Sequence, residues 1–234
     1  MQDQPIKFAV ADVWKNLASA ETTAGDQIVL RQKGQVFDIR FNGWELMSSQ
    51  ISASEEILAE MVCRQINCEA PRVLIGGLGM GYTLRRTLDA VGEQAQVTVC
   101  ELIPEIVGWN EGPLAALADY PLKDTRVNVR VQSVVDVIVE EGPSFAAIIL
   151  DTDNGPDAIV HSPNHILYKR ETMIRISQRL RDRGVVGVWS AVDSSDFESV
   201  LDSVNWTWTR TRVALDEKDD DRCHTIYLAG KNLI

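Results

Sequence analysis

Three glycines stand in the order Gly77-x-Gly79-x-Gly81 within RVLIGGLGMGYTLRR, between an apolar run and an amphipathic one. Glycine lacks Cβ and tolerates positive φ, so a backbone that turns here can approach a ligand closely, and a following helix adds unpaired N–H groups. In dinucleotide enzymes the usual spacing is G-x-G-x-x-G, with a pyrophosphate seated on the helix N-terminus. The spacing here, with Gly76 just ahead of it, is the variant associated with S-adenosylmethionine, a ligand without phosphate. Some twenty residues beyond the last glycine, VTVCELIPEI places Glu101 where its carboxylate can accept hydrogen bonds from both ribose hydroxyls. Capping the next helix is the other use open to that side chain. Farther on, DTDNGPD gathers Asp151, Asp153 and Asp157. Carboxylates there can hold a cationic acceptor or take a proton from an attacking group, although Asp, Asn, Gly and Pro are also the ordinary residues of turns.

These side chains need a scaffold that brings strand ends together. From Arg72 onward, short β-branched runs (RVLI at 72, VTVC at 97, VNVRV at 127, AAIIL at 146, VVGVW at 185) alternate with helical patterns near Thr83–Val91, Pro104–Ala118, Val134–Glu140 and Tyr168–Arg181. Such alternation predicts right-handed crossovers, a parallel sheet with helices on both faces, and a ligand crevice at the carboxyl ends of the strands. Upstream, QIVLRQKGQVFDIRFNGWELM alternates apolar and polar residues with Gly34 and Gly43 as punctuation, the pattern of two or three antiparallel strands. SASEEILAEMVCRQI then has helical period, with Ser54 as the expected N-cap. At the other end, WTWTRTRVAL and CHTIYLAG flank DEKDDDR, which predicts a hairpin with an exposed acidic tip. The expected division is a small β domain over 1–53 and a Rossmann-like domain over 54–234.

Composition narrows the partners. A net charge of −11 argues against a nucleic-acid backbone or an anionic membrane surface as partner. No apolar run approaches the roughly 18 residues of a membrane span, so a cytoplasmic protein is expected. The four cysteines, Cys63, Cys68, Cys100 and Cys223, form no CxxC pair; buried free thiols are expected, with no metal site.

The succession VLIGGLGMGYTLRR, VTVCELIPEIV, ILDTDNGPD and LYKRETMIRISQRLRDRGVV resembles spermidine synthase, a polyamine aminopropyltransferase on the class I methyltransferase fold. The similarity spans roughly Gly43 to Trp189, and SASEEILAEM is similar to the helix that precedes the family's first strand. The resemblance implies a sheet order 3-2-1-4-5-7-6 and a homodimer. It also implies a cofactor frame of Gly76, Gly77, Gly79, Gly81, Glu101, Leu102, Ser133, Val134 and Asp151, with S-adenosylmethionine or its decarboxylated form as the ligand. On the acceptor side it points to Leu58 and Met80; the further acceptor-side candidates are Tyr82, which opens the first helix and could instead pack near the donor, and His165 and Tyr168 after the fourth strand. Several positions depart from the family pattern. Met80 stands at the aspartate of the glycine loop, Leu58 at a tyrosine that helps hold the polyamine, Ser49 at a glutamine, Ser133 at an aspartate that contacts adenine, and Asn154 at the second aspartate unless Asp153 takes its place. Each buried ammonium needs a partner, so replacing polar partners by Met and Leu argues for a different acceptor.

Transfer from a sulfonium is an in-line displacement with a neutral thioether leaving, so the protein must align the reactants, exclude water and remove any proton from the acceptor. Asp151 and Asp153 are the expected catalytic carboxylates. NGPDAIVHSPNHILY is a long connection of the kind that forms lids, and its His161 and His165 are candidate bases; Pro163 between them argues against a helical metal pair. Trp189 ends its strand either in the core or beside the acceptor. The expected activity is an S-adenosylmethionine-dependent transferase, first a methyltransferase, acting on a small-molecule acceptor. An aminopropyltransferase and a non-catalytic nucleoside-binding module are the alternatives.

Overall fold

A computed structural model describes residues 13–22, 25–152, 155–157, 162–216 and 219–233. The chain divides into two compact units, Met1–Gln50 and Ile51–Ile234. In the first, strands β1 (Lys15–Glu21), β2 (Gln27–Lys33), β3 (Val36–Phe41) and β4 (Trp44–Ser48) form one antiparallel sheet in chain order. The Asn42–Gly43 turn between β3 and β4 has positive φ at both residues, as two-residue hairpins require. Ile28, Leu30, Phe37, Ile39 and Phe41 are its buried apolar residues, and the buried carboxylate of Asp38 is held by Arg31 and Arg40. Strand β1, an exposed edge without apolar alternation, extends the expected two or three strands to four.

The second unit opens with α1 (Ala53–Arg64), followed by β5 (Arg72–Gly76), α2 (Tyr82–Ala90), β6 (Gln96–Glu101), α3 (Pro104–Glu111), β7 (Val127–Val131), α4 (Val134–Val139) and β8 (Phe145–Leu150). It continues with α5 (Arg170–Arg179), β9 (Leu180–Ser190), α6 (Ser195–Ser203), β10 (Thr207–Asp216) and β11 (Asp219–Gly230). The seven strands lie in the order β10-β11-β9-β8-β5-β6-β7. Counted from β5 this is the order 3-2-1-4-5-7-6 seen from the other edge. The pairs among β5 to β9 are parallel, whereas β11 runs antiparallel to both β9 and β10. All six residues of β8 are buried, which explains its unbroken apolar run: a central parallel strand is covered on both faces.

Successive residues of a strand point to opposite faces, and β9 shows how helices use both. Val186 and Val188 join a core with Val137, Ile138, Met173, Ile176, Phe197 and Leu201 of α4, α5 and α6. On the other face, a Cβ at Gly187 would lie 2.3 Å from Val62 and 3.0 Å from Leu58, so the missing side chain is what lets α1 sit against the sheet.

Several boundaries differ from expectation. The helix begun at Pro104 stops at Glu111, where Gly112 and Pro113 end it, and a 3-10 turn follows at Ala115–Ala118. Helix α6, capped by Ser194 through the Phe197 amide at 3.1 Å, lies in a segment whose short apolar pattern did not announce it. The hairpin strands run farther than expected, pairing Asp216 with Asp219; the tip at 217–218 lies outside the described residues. Ser52, not Ser54, occupies the N-cap position of α1. Of the four free thiols, Cys63 and Cys100 are buried, and burial pushes them up to about 11 and about 12, while Cys68 is exposed.

Candidate active site

The glycine turn sits between two neighbouring strand ends. The Gly77 amide donates to the Cys100 carbonyl at 2.9 Å, and the Asp151 amide to the Gly76 carbonyl at 2.9 Å, so β6 and β8 hold the turn from both sides. Gly77 has φ +92°, and a Cβ there would lie 2.0 Å from the Asp151 carbonyl oxygen. No other residue fits. Gly81, φ +87°, starts α2 without a side-chain cap. Asn110 of α3 steadies the turn by donating Nδ2 to the Gly79 carbonyl at 2.8 Å, while its Oδ1 is buried without a hydrogen-bond partner.

Glu101 is buried at the end of β6. Its Oε2 accepts from the Leu78 amide at 3.1 Å and its Oε1 from the Ile103 amide at 3.0 Å. One carboxylate thus clamps the glycine turn and also tethers the start of α3. Burial raises its pKa above the ordinary carboxylate value, and the surrounding amides pull it back. The amides of Leu102 and Gly79 also act on this carboxylate, so Glu101 sits among four backbone N–H groups, and the nearby Asn110 Oδ1 is a buried acceptor beside the turn. Acceptors beside a glycine turn suit the hydroxyl and amino groups of an adenosyl ligand. Of the other residues in the expected cofactor frame, Leu102 is exposed just past Glu101, and Ser133 caps α4 through the Val135 amide at 3.2 Å. Val134 packs against Gly76, where a Cβ would meet it at 2.9 Å.

A second cluster lies where β8 and β9 end, beside the middle of β11. Asp151 Oδ2 accepts from the Thr83 hydroxyl of α2 at 2.5 Å. Glu55, buried in the first turn of α1, is raised by burial and next by the Asp151 charge; Asp151 is raised by burial against the opposing Thr83 bond. Ser54 joins this pair to β9 and β11. Its Oγ lies 2.5 Å from Glu55 Oε2 and 2.8 Å from His224 Nδ1, and accepts from Trp189 Nε1 at 3.0 Å. The Trp189 and His224 rings meet edge-on with centroids 4.5 Å apart. Burial depresses the imidazole to about 4, so His224 is neutral near pH 7.

The remaining expected residues fall as follows. Tyr82 is half-buried at the start of α2, and burial raises its pKa with help from Glu55 and Glu56. Leu58 and Met80 have no accessible surface; both are core, so their apolar character does not describe what an acceptor would meet. His165 is exposed in the 3-10 turn Ser162–Tyr168, and the buried Tyr168 shares a hydrogen bond with Thr152 at 3.1 Å. Asp157 is exposed. Asp153, Asn154 and His161 lie outside the described residues. Among the described residues no group of His, Cys, Asp and Glu is arranged to hold a metal ion.

The pattern did carry a trace of the residues it failed to single out. Glu55 stands three, four and seven places before Leu58, Ala59 and Val62, so the helical period already put it on the buried stripe of α1. His224 alternates with Ile226 and Leu228, the face of β11 on which α1 lies. Nothing in the sequence joined the two segments.

The strand order, the antiparallel end and the N-terminal sheet define a spermidine synthase-like, class I methyltransferase fold. The chain is similar to a spermidine synthase solved with the transition-state analogue AdoDATO: TM-score 0.74, 16% identity, covering 94% of this chain and 73% of that one. The spermidine synthase of Thermotoga maritima gives a TM-score of 0.75 at 15% identity, over 94% of this chain and 74% of its own. A candidate O-methyltransferase of Klebsiella pneumoniae shares the fold at TM-score 0.54 and 18% identity, over 77% of this chain and 80% of its own. No protein-family model matches the chain, and no curated protein matches it. At these identities the likeness is one of fold.

Proposed function

We propose that this chain is an S-adenosylmethionine-dependent transferase, in the first place a methyltransferase, acting on a small-molecule acceptor. The observation that carries the reading is Glu101: a buried carboxylate at the end of β6, fastened to the glycine turn by one oxygen and to the start of α3 by the other. Gly77 and Gly79 bring backbone close to the ligand, and Asn110 fixes the turn. When bound, the sulfonium supplies an activated alkyl group and a neutral leaving thioether. The chain's own residues orient the acceptor and receive its proton; Asp151, anchored by Thr83 and raised by burial, is the proposed proton acceptor, with Asp153 as its proposed neighbour. We further propose a homodimer, a cytoplasmic location and a domain division at residue 53. No described helix is long and apolar enough to cross a membrane.

Calorimetry with S-adenosylmethionine and with its demethylated product is the direct test. Binding of either is expected, lost in Glu101→Ala; no binding of either by the folded parent protein overturns the proposal.

The second reading, aminopropyl transfer from decarboxylated S-adenosylmethionine, draws support from the buried Glu55–Asp151 pair, whose mutual repulsion a cationic amine would relieve. Release of methylthioadenosine with putrescine or another amine would establish it.

A further inference from the structure

The hydroxyl of Ser54 is surrounded by three hydrogen-bonding groups: Trp189 Nε1, Glu55 Oε2 and His224 Nδ1. A serine hydroxyl offers one hydrogen and two lone pairs. Trp189 can only donate, so it occupies one lone pair. Of the other two partners, one must donate to Ser54 and the other must accept its single hydrogen. Two arrangements satisfy every group. In one, Glu55 is a carboxylate accepting from Ser54, and His224 carries its proton on Nδ1 and donates it to Ser54, which leaves Nε2 bare. In the other, Glu55 is protonated and donates, and His224 accepts at Nδ1 and carries its proton on Nε2. The charge on Glu55 and the tautomer of His224 are therefore locked together by counting hydrogens.

We propose that Glu55, Ser54 and His224 form a proton relay that carries the proton released by the acceptor's nucleophile from the Asp151 side of the site to solvent beside β11. The steps balance. A proton taken up by Glu55 converts the first arrangement to the second: the imidazole gives its Nδ1 proton to water and takes one from water on Nε2, with no net change on the ring, and the Ser54 hydrogen turns to Nδ1. Loss of the Nε2 proton to water, with the Ser54 hydrogen passing to Nδ1 and the Glu55 proton to Ser54, restores the first. The net change is one proton moved from acceptor to solvent. His224 is only partly buried, which gives Nε2 a way out, and its depressed pKa keeps the imidazole neutral, as a two-tautomer relay needs. The charged and titratable groups around Glu55 are Asp151 beyond β8, Glu56 on α1 and Tyr82 on α2; against His224 stand Ser54 of α1 and the uncharged ring of Trp189 on β9. The proposal rests on the transferase reading and sharpens it: the acceptor's nucleophile carries a proton, as an N–H, S–H or O–H group does, unlike a thioether or a tertiary amine.

The test is 15N NMR of the full chain labelled at histidine, with the His224 resonances identified by their loss in His224→Asn. Between about pH 5 and about pH 8, Nδ1 and Nε2 of His224 should exchange their pyrrole-like and pyridine-like shifts as Glu55 ionises, without passing through imidazolium. Ser54→Ala and Glu55→Gln should each abolish the exchange. A single tautomer throughout the range in the parent protein, or an undiminished exchange in Ser54→Ala, overturns the relay; the parent titration decides even if a variant fails to fold. Calorimetry with S-adenosylmethionine on the same sample separates the two claims. Donor binding with a fixed tautomer removes the relay alone, whereas tautomer exchange without donor binding removes the transferase reading.

Discussion

Gly77 occupies a position where geometry leaves no alternative to glycine, because its φ of +92° and the Asp151 carbonyl 2.0 Å from a would-be Cβ both exclude a side chain. Gly77→Ala must displace the turn or the start of the loop after β8. A cost of about 1–3 kcal/mol is expected from the backbone strain, read as a lower midpoint in urea, together with loss of donor binding by calorimetry. An unchanged affinity in a folded variant would show that the turn does not contact the donor. Glu101 belongs to the same scale. Its carboxylate was expected either at a ribose or at a helix start, and the structure shows the helix start and the glycine turn held by one side chain. The amides of Leu102 and Gly79 act on the same carboxylate.

Helix α1 brings Ser54 and Glu55 to the sheet, and what seats the helix is an absence on β9. Gly187→Ala would place a methyl 2.3 Å from Val62. Overpacking of that kind costs about 1–3 kcal/mol, and here it should lift the helix that carries the two polar residues. The expected result is a lower Tm accompanied by changed 15N shifts of His224, whose Nδ1 depends on Ser54. A lower Tm with unaltered His224 shifts would mean that the helix yields elsewhere. Elements also set how much could be foreseen. The five parallel strands were legible because β-branched runs alternated with helical ones, and β8 because it is apolar throughout. The edge strand β1 was not, since it is exposed and imposes no apolar alternation on its residues, and helix α6 was missed although Phe197 and Leu201 are buried at helical spacing behind the Ser194 cap.

At the scale of the whole molecule, buried titratable groups pull stability in opposite directions with pH. His224 has a folded value of about 4 against an ordinary 6.5, so the unfolded chain binds more protons in that window. Its contribution is complete above about 6.5 and is lost as pH falls towards 4. Glu55, Asp151 and Glu101 are raised in the folded state, so their contribution is complete below the ordinary carboxylate range and is lost as pH rises through the raised values. Glu55→Gln removes one of these three and relieves Asp151. Its Tm should gain on the parent's between about pH 5 and about pH 8, by about 2–4 °C for each kcal/mol recovered. A difference that stays constant with pH would mean that Glu55 is not raised by its surroundings.

The sequence by itself determined the parallel sheet with its antiparallel end and the glycine turn that feeds α2. Each is written in local patterns, in strand and helix periods and in residues that tolerate unusual backbone angles. It also placed Glu101 and Asp151 at the ends of their strands, because alternation fixes where a strand stops. Only the tertiary structure decided that Leu58 and Met80 are core, that Thr83 holds Asp151, and that Ser54, bonded to Glu55, meets His224, 170 residues away along the chain. Those contacts join segments whose own periods contain no information about each other. They exist because α1 fits over Gly187 and β11 folds back beside β9, packing events that no single stretch of the chain records.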